Sequence, residues 1–161
     1  MPNAENPAIR PAGERDLSRV GELLLQVNEV HHTIRPDLFK TNSRKYNDAE
    51  LRAVFADPDA PVFVYEADGE VLGYAFCKVL KYLHSDNLVP ITSLYLDDLC
   101  VDETARGRGI GTALYRFVLD YAKSIGCHNV TLNVWEGNDA ALAFYRKCGM
   151  TVQRTCMEQV F

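Results

Sequence analysis

The chain has 161 residues, of which 47% are hydrophobic and 24% charged, the balance of a globular domain with a core rather than of a disordered or fibrous chain. With 17 Lys and Arg against 22 Asp and Glu, the formal net charge is −5, which excludes a broad nucleic-acid surface because that requires a dense basic face. Five cysteines, at 77, 100, 127, 148 and 156, form no C-x-x-C pair, so no metal site is expected and the thiols read as small apolar residues in a reducing, cytoplasmic setting.

Length and composition fit one domain over 1–161. Residues 1–7, MPNAENP, read as loose and carry no apolar secretory core, and no apolar run reaches the ~18 residues of a membrane span. Ile9-Arg-Pro-Ala is expected as a short edge strand, since Pro11 cannot donate to a central ladder. Apolar residues at 17, 20, 23, 24, 27 and 30 predict a helix from Asp16 to about His31, with Asp16 able to cap it. HHTIRPDLFKTNSRKYN reads as a loop, and a short helix follows from about Asp48 to Phe55. Val62–Glu66 and Val71–Leu80, joined by Ala67-Asp-Gly-Glu, predict a hairpin. Residues 91–101, ITSLYLDDLCV, predict the next strand.

Beyond a glycine-rich turn, apolar residues at 110, 114, 117, 118, 121 and 125 predict an amphipathic helix closed by Gly126. Val130–Trp135 reads as a strand, Asn138 opens a helix that Gly149 ends, and Thr151–Phe161 reads as a last strand or hairpin. The order predicts an α/β (α+β) fold: a mixed, mostly antiparallel sheet of about six to seven strands with helices on both faces.

The turn itself, Arg106-Gly-Arg-Gly-Ile-Gly-Thr112, places three glycines where a helix begins. Strand, glycine-rich turn and helix N-terminus together present unpaired backbone N–H groups to an anion, and the helix dipole adds about half a positive charge there. Arg106 and Arg108 supply fixed charge and forked donors. The run lacks the lysine of a P-loop, and its G-x-G-x-G spacing late in the chain does not match a dinucleotide fingerprint.

Arg106-x-x-Gly109-x-Gly111, preceded by Cys100-Val101-Asp102, resembles the [QR]-x-x-G-x-[GA] signature of the GNAT superfamily of acyl-CoA-dependent N-acyltransferases. Asn138-Asp-Ala-Ala-Leu-Ala-Phe-Tyr145-Arg-Lys-Cys-Gly149-Met is similar to that family's N-x-x-A-x-x-x-Y-x-x-x-G-[FM] stretch, at the expected distance. Element order and length agree, so the resemblance spans nearly the whole chain.

The resemblance implies that acetyl-CoA is the cosubstrate and that its pyrophosphate lies on Arg106, Gly107, Arg108, Gly109, Ile110, Gly111 and Thr112. Its pantetheine arm would pair with the backbone of Leu99, Cys100 and Val101. Asn138 matches a position that contacts the cofactor, or serves as a plain helix cap. Attack on a thioester needs a neutral amine, yet an amine of pKa ~10.4 is almost wholly protonated at pH 7, at a cost of roughly 4.6 kcal/mol. A base is therefore wanted, and so is an acid for the departing thiolate of reference pKa ~8.5.

Tyr145 matches the family's general-acid tyrosine. Some relatives carry a basic glutamate where this chain has Asn133, whose amide cannot act as a base. Others place the base on the strand before the glycines, at positions matching Tyr95 or Asp97. Strand alternation puts Tyr95, Asp97 and Leu99 on one face and Asp98 on the other. Asp97 is the candidate base, with Asp98, Glu136 and His84 in reserve. His31, His32 and Arg35 lie where the family builds its acceptor pocket.

The expected activity is transfer of an acetyl group to a primary amine of a small molecule in a ternary complex. A covalent cysteine relay is set aside because no cysteine has a histidine partner on the same motif. A peptide acetyltransferase and a non-catalytic acyl-CoA-binding module stay open. No nucleic-acid or membrane partner is expected; monomer and homodimer both stay open, and the resemblance implies the dimer only in that such relatives are often dimers.

Overall fold

The structure, a computed structural model, describes residues 9–161; the loose run expected at residues 1–7 lies outside them. The chain begins with β1 (Ile9–Pro11), α1 (Leu17–Ile34) and α2 (Asp48–Ala56). Three strands follow, β2 (Val62–Ala67), β3 (Glu70–Tyr82) and β4 (Ile91–Val101). Then come α3 (Ile110–Ser124), β5 (Asn129–Thr131) and α4 (Asp139–Lys147), with 3-10 turns at Glu14–Asp16 and Glu103–Ala105. The strands form one sheet in the order β1-β2-β3-β4-β5, antiparallel throughout except for the parallel β4–β5 pair.

Local sequence explains most of these elements. The β2–β3 hairpin turns on Asp68 and Gly69, both at positive φ (52° and 78°), the conformation in which a two-residue loop matches the twist of its strands. In α2 the Asn47 side chain accepts from Glu50 N at 2.9 Å while Glu50 accepts from Asn47 N at 2.8 Å, a reciprocal capping box. Only Leu51 of α2 is buried, and it anchors the helix to the core.

The sheet carries helices on both faces, as expected. Under one face, Leu17, Val20, Leu23 and Leu24 of α1 join Leu51, Val64, Tyr74, Phe76 and Cys100. Under the other, Ile110, Leu114, Tyr115, Val118 and Ala122 of α3 pack on Phe63, Ala75, Cys77, Leu94 and Leu96, with Phe144 and Tyr145 of α4 at the margin. Burying such aliphatic and aromatic side chains contributes about 1.5–3 kcal/mol each, which fixes the strands between the two layers.

Five expectations are corrected. The sheet has five strands rather than six to seven among the described residues. Thr151–Phe161 forms no strand, and its Val152, Met157, Val160 and Phe161 are exposed: a strand-like pattern yields a strand only where a ladder partner exists. For the same reason the strand expected over 130–135 shrinks to Asn129–Thr131, because β4 pairs with it only from Ser93 to Tyr95. Asp16 does not cap α1; its carboxylate instead accepts from Gly13 N and Arg10. Finally, α1 runs on to Ile34, so His31 and His32 sit in its last turn rather than in a loop.

Candidate active site

Two left-handed glycines shape the turn between β4 and α3. Gly107 and Gly109 both have φ 78°, and a Cβ at either would meet no neighbour, so the backbone is bare on the side facing solvent. Gly109 is the N-cap of α3, and the first intrahelical bond runs from Ala113 N to Gly109 O at 3.0 Å. The amides of the first helical turn before it have no partner within the helix. Arg106 and Arg108 are exposed beside them. An anion meets there backbone donors, a helix dipole and two guanidinium groups.

Asp102, which the sequence did not single out, holds this turn in place. Its carboxylate accepts from Thr104 N at 2.8 Å and from Thr104 Oγ1 at 2.6 Å. Arg19 and Gln26 of α1 also donate to it, and Gln26 Oε1 accepts from Glu103 N at 3.2 Å. The Thr104 hydroxyl and amide, helped by Arg19 and opposed by burial, hold the Asp102 carboxyl well below the usual carboxylate range. α1, the end of β4 and the start of the glycine turn are thus tied together by side-chain hydrogen bonds.

Because β5 pairs with β4 only at 93–95, the edge of β4 from Leu96 to Val101 has no ladder partner among the described residues. Leu99, Cys100 and Val101 lie on this free stretch. Asn138 opens α4, its side chain accepting from Ala141 N at 3.3 Å, so capping is its role in the protein by itself. One helical stretch on, the ring of Tyr145 packs 5.1 Å from Phe144 and 6.1 Å from Tyr115. Burial, with the negative charge of Asp98 next in weight, raises the pKa of the Tyr145 hydroxyl above that of an ordinary phenol.

β4 does not alternate regularly. Phe76 faces Asp98 and Cys77 faces Leu96, so Asp97 is an extra residue without a partner on β3, a β-bulge. Beyond the bulge the faces exchange: Leu96 and Leu99 pack with the α3 layer, whereas Asp98 shares the α1 side with Phe76 and Cys100. The grouping of Tyr95, Asp97 and Leu99 on one face is thereby corrected, and Asp98 does not point away from the site. Asp97 Oδ2 accepts from Lys45 Nζ at 2.5 Å, and Lys78 Nζ lies 3.6 Å from Oδ1. Asp98 accepts from the Tyr74 hydroxyl at 2.7 Å. Burial foremost, and then the charge of Asp97, push the Asp98 carboxyl up to about 6 against the Tyr74 hydrogen bond and Lys45.

The wall on the acceptor side comes from the end of α1 and the segment after it. His31 packs 5.0 Å from Phe39, which meets Trp135 edge-on at 5.6 Å. Burial and the nearby Lys45 lower the His31 pKa. His32 Nδ1 lies 2.6 Å from the Phe39 carbonyl oxygen. The Arg35 guanidinium is committed to Asp37 and Glu158, at 2.6 and 2.5 Å, and lies over Trp135. Asn133 Nδ2 donates to Tyr95 Oη at 3.1 Å. The structure therefore gathers Tyr95, Asp97, Asp98 and Asn133 around the splayed β4–β5 pair. His84 and Glu136 are exposed outside this set of contacts. Lys45 and Tyr74 belong to the cluster but went unnoticed in the sequence, where one reads as a loop lysine and the other as a core aromatic.

The surface hollow between α1 and α2, lined by Gly21, Arg44 and Asp48 among others, lies away from this cluster and holds paired surface charges such as Arg44 with Asp48.

Comparison with known proteins bears on this geometry. The family model described as "Acetyltransferase (GNAT) family" matches residues 27–150. The chain is similar to the glucosamine 6-phosphate N-acetyltransferase of Trypanosoma brucei brucei, 29% identical over 142 residues, 88% of this chain and 86% of that protein. It is also similar to the mycothiol acetyltransferase of Corynebacterium efficiens, 32% identical over 148 residues, 91% of this chain but 46% of that protein. The chain spans less than half the length of several curated relatives that it matches. A solved mutant protein from Bacillus halodurans superposes with a TM-score of 0.90 at 30% identity, covering 95% of this chain and 98% of that one.

Proposed function

The chain belongs to the GNAT acetyltransferase family, and from that membership we propose that it transfers an acetyl group from acetyl-CoA to a primary amine of a small molecule by direct attack in a ternary complex. The observation that carries the reading is the bare, left-handed pair Gly107 and Gly109 opening α3 beside an unpaired edge of β4. These residues fit the cosubstrate. Arg106, Gly107, Arg108, Gly109, Ile110, Gly111 and Thr112 would hold its diphosphate, and the backbone of Leu99, Cys100 and Val101 its amide-bearing arm. Asn138 would approach it from the start of α4. Acetyl-CoA, when bound, supplies an acyl group activated as a thioester.

The protein's own groups then move two protons. Tyr145 gives its hydroxyl proton to the departing sulfur, and one of the two adjacent β4 carboxylates, Asp97 or Asp98, takes a proton from the amine. His31 and His32 would contact the acceptor or its water, and Arg35 would meet an acceptor carboxylate only by releasing Asp37 or Glu158.

The names of the relatives, glucosamine 6-phosphate and mycothiol acetyltransferases, support a small-molecule amine as acceptor. The test is release of free thiol from acetyl-CoA with a panel holding glucosamine 6-phosphate, other amino sugars, polyamines and short peptides. Turnover with small amines and none with peptides is expected. Turnover confined to peptides would make the chain a protein acetyltransferase, and acetyl-CoA binding without turnover a binding module.

Two further parts of the proposal concern the protein's setting. Free thiols at all five cysteines among the described residues support a reducing, cytoplasmic location, and no helix among those residues is long and apolar enough to cross a membrane. The exposed Val152, Met157, Val160 and Phe161 are apolar surface that a second copy would cover, so a homodimer is expected in sedimentation.

A further inference from the structure

Two carboxylates stand side by side on β4, and their surroundings differ. The bulge at Asp97 turns both toward the α1 side of the sheet. Asp97 is held by two cations, Lys45 at 2.5 Å and Lys78 at 3.6 Å, so its charge is already matched. Asp98 has one neutral side-chain donor, the Tyr74 hydroxyl at 2.7 Å, and Tyr74 is itself fully buried in the core between β4 and α1. Such a partner fixes the carboxylate without neutralising it. Asp98 is half-buried as a residue, at the margin of the core rather than within it.

We propose that Asp98, rather than Asp97, accepts the proton that the acceptor amine loses, with Tyr74 as the positioning residue that aims its carboxylate; this rests on the acetyl-transfer reading above. Asp97 serves instead to hold Lys45, and with it the segment that leads into α2.

The groups facing Asp98 come from four elements. They are Tyr74 on β3, Tyr95, Asp97 and Cys100 on β4, Lys45 before α2, and Tyr145 on α4. Burial and Asp97 push the Asp98 carboxyl up to about 6. It is thus still ionised at neutral pH, but a stronger base than an exposed carboxylate of pKa ~3.9. Its charge is also one of the causes that raise the Tyr145 hydroxyl. When Asp98 takes a proton that charge disappears, and Tyr145 becomes a better acid as the sulfur departs.

The step balances. An amine N–H bond breaks to Asp98 and the nitrogen lone pair bonds to the acyl carbon. The carbon–sulfur bond breaks, and the sulfur takes the Tyr145 proton. Afterwards the proton on Asp98 returns through solvent to the Tyr145 phenolate, restoring both groups.

The experiment is a pH–rate profile from pH 5 to 9, with acetyl-CoA and the panel amine that the parent turns over fastest. The parent should lose rate below about pH 6. Asp98→Asn keeps the shape and an acceptor for Tyr74; its kcat/KM should fall by ~10²–10⁴-fold and lose that acid limb. Tyr74→Phe removes a hydrogen bond that favours the carboxylate, so the limb should move to higher pH, a change that a purely structural role would not produce. Asp97→Asn should raise the KM for the amine and move the limb to lower pH, because the charge of Asp97 is one of the causes that raise Asp98. A folded Asp98→Asn protein that keeps the parental rate, limb and acetyl-CoA affinity overturns the assignment, as does a ~10²–10⁴-fold loss of kcat/KM confined to Asp97→Asn. If Asp98→Asn does not fold, the Tyr74→Phe limb decides: one that has not moved overturns the proposal. A parent that binds acetyl-CoA and acetylates no amine refutes the acetyl-transfer reading, a different outcome from an active parent indifferent to Asp98.

Discussion

Tyr145 combines two demands that a single hydroxyl decides. Its ring fills space beside Phe144 and Tyr115, while burial and the Asp98 charge keep its proton on. Tyr145→Phe removes the proton and leaves the ring, so packing and acetyl-CoA KM should change little. If the phenol protonates the leaving thiolate, kcat should fall by ~10²–10⁴-fold. The loss should shrink with an acyl donor whose thiol is much more acidic, since that leaving group needs no proton. Steady-state kinetics with chemistry rate-limiting read the result; near-parental kcat would make the hydroxyl structural.

At the scale of elements, the turn into α3 is the piece whose shape depends most on residue type. Gly109 at φ 78° occupies a region that costs a residue with a side chain roughly 1–2 kcal/mol, and a branched side chain would also cover the bare amides. Gly109→Val should therefore lose acetyl-CoA affinity by at least about tenfold, equivalent to ~1.4 kcal/mol, with a modest fall in melting temperature. Isothermal calorimetry on the folded variant measures the first and a thermal melt the second. Unchanged affinity would remove the turn from the binding site. The neighbouring β4 bulge shows the reverse dependence: no residue in ITSLYLDDLCV announces it, and it arises where β3 and β4 pair one residue out of step.

For the molecule as a whole, three buried or half-buried carboxylates pull stability in opposite directions with pH. Burial alone would raise the Asp16 carboxyl, but Arg10 and the Gly13 amide lower it on balance; Thr104 and Arg19 lower Asp102. Groups with depressed folded values add stability above their unfolded pKa of ~3.9, and it is lost as pH falls through their folded values. Asp98 has the opposite sign. Its folded value of about 6 lies above the unfolded one, so stability declines as pH rises from about 4 to about 6 and stays lower above that. Asp98→Asn should thus be more stable than the parent at pH 8, by at most about 3 kcal/mol, and the gain should shrink toward pH 4. Urea unfolding at the two pH values measures it; an equal difference at both would mean that ionised Asp98 costs the fold nothing. Such a cost is expected where a charge is retained for chemistry rather than for stability.

Much of the fold was legible in the sequence because it depends on near neighbours. The α3 stripe, the Asp68-Gly69 turn, the Asn138 cap and the glycines before α3 each follow from residues within a few positions of one another, and the spacing that places Tyr145 on α4 is helical and local as well. Pairing between strands was not legible, since a ladder needs an edge that another segment must supply. Thr151–Phe161 has the pattern of a strand and no partner, and β5 stops where β4 leaves it. The same non-local register inserts Asp97 as a bulge and turns Asp98 onto Tyr74, 24 residues away along the chain. The sequence by itself thus determined which elements form and where an anion can meet the backbone. Only the tertiary structure decided which of two adjacent aspartates is tied to lysines and which is held by a neutral tyrosine, because a one-residue shift in register reverses the side of the sheet that a side chain faces.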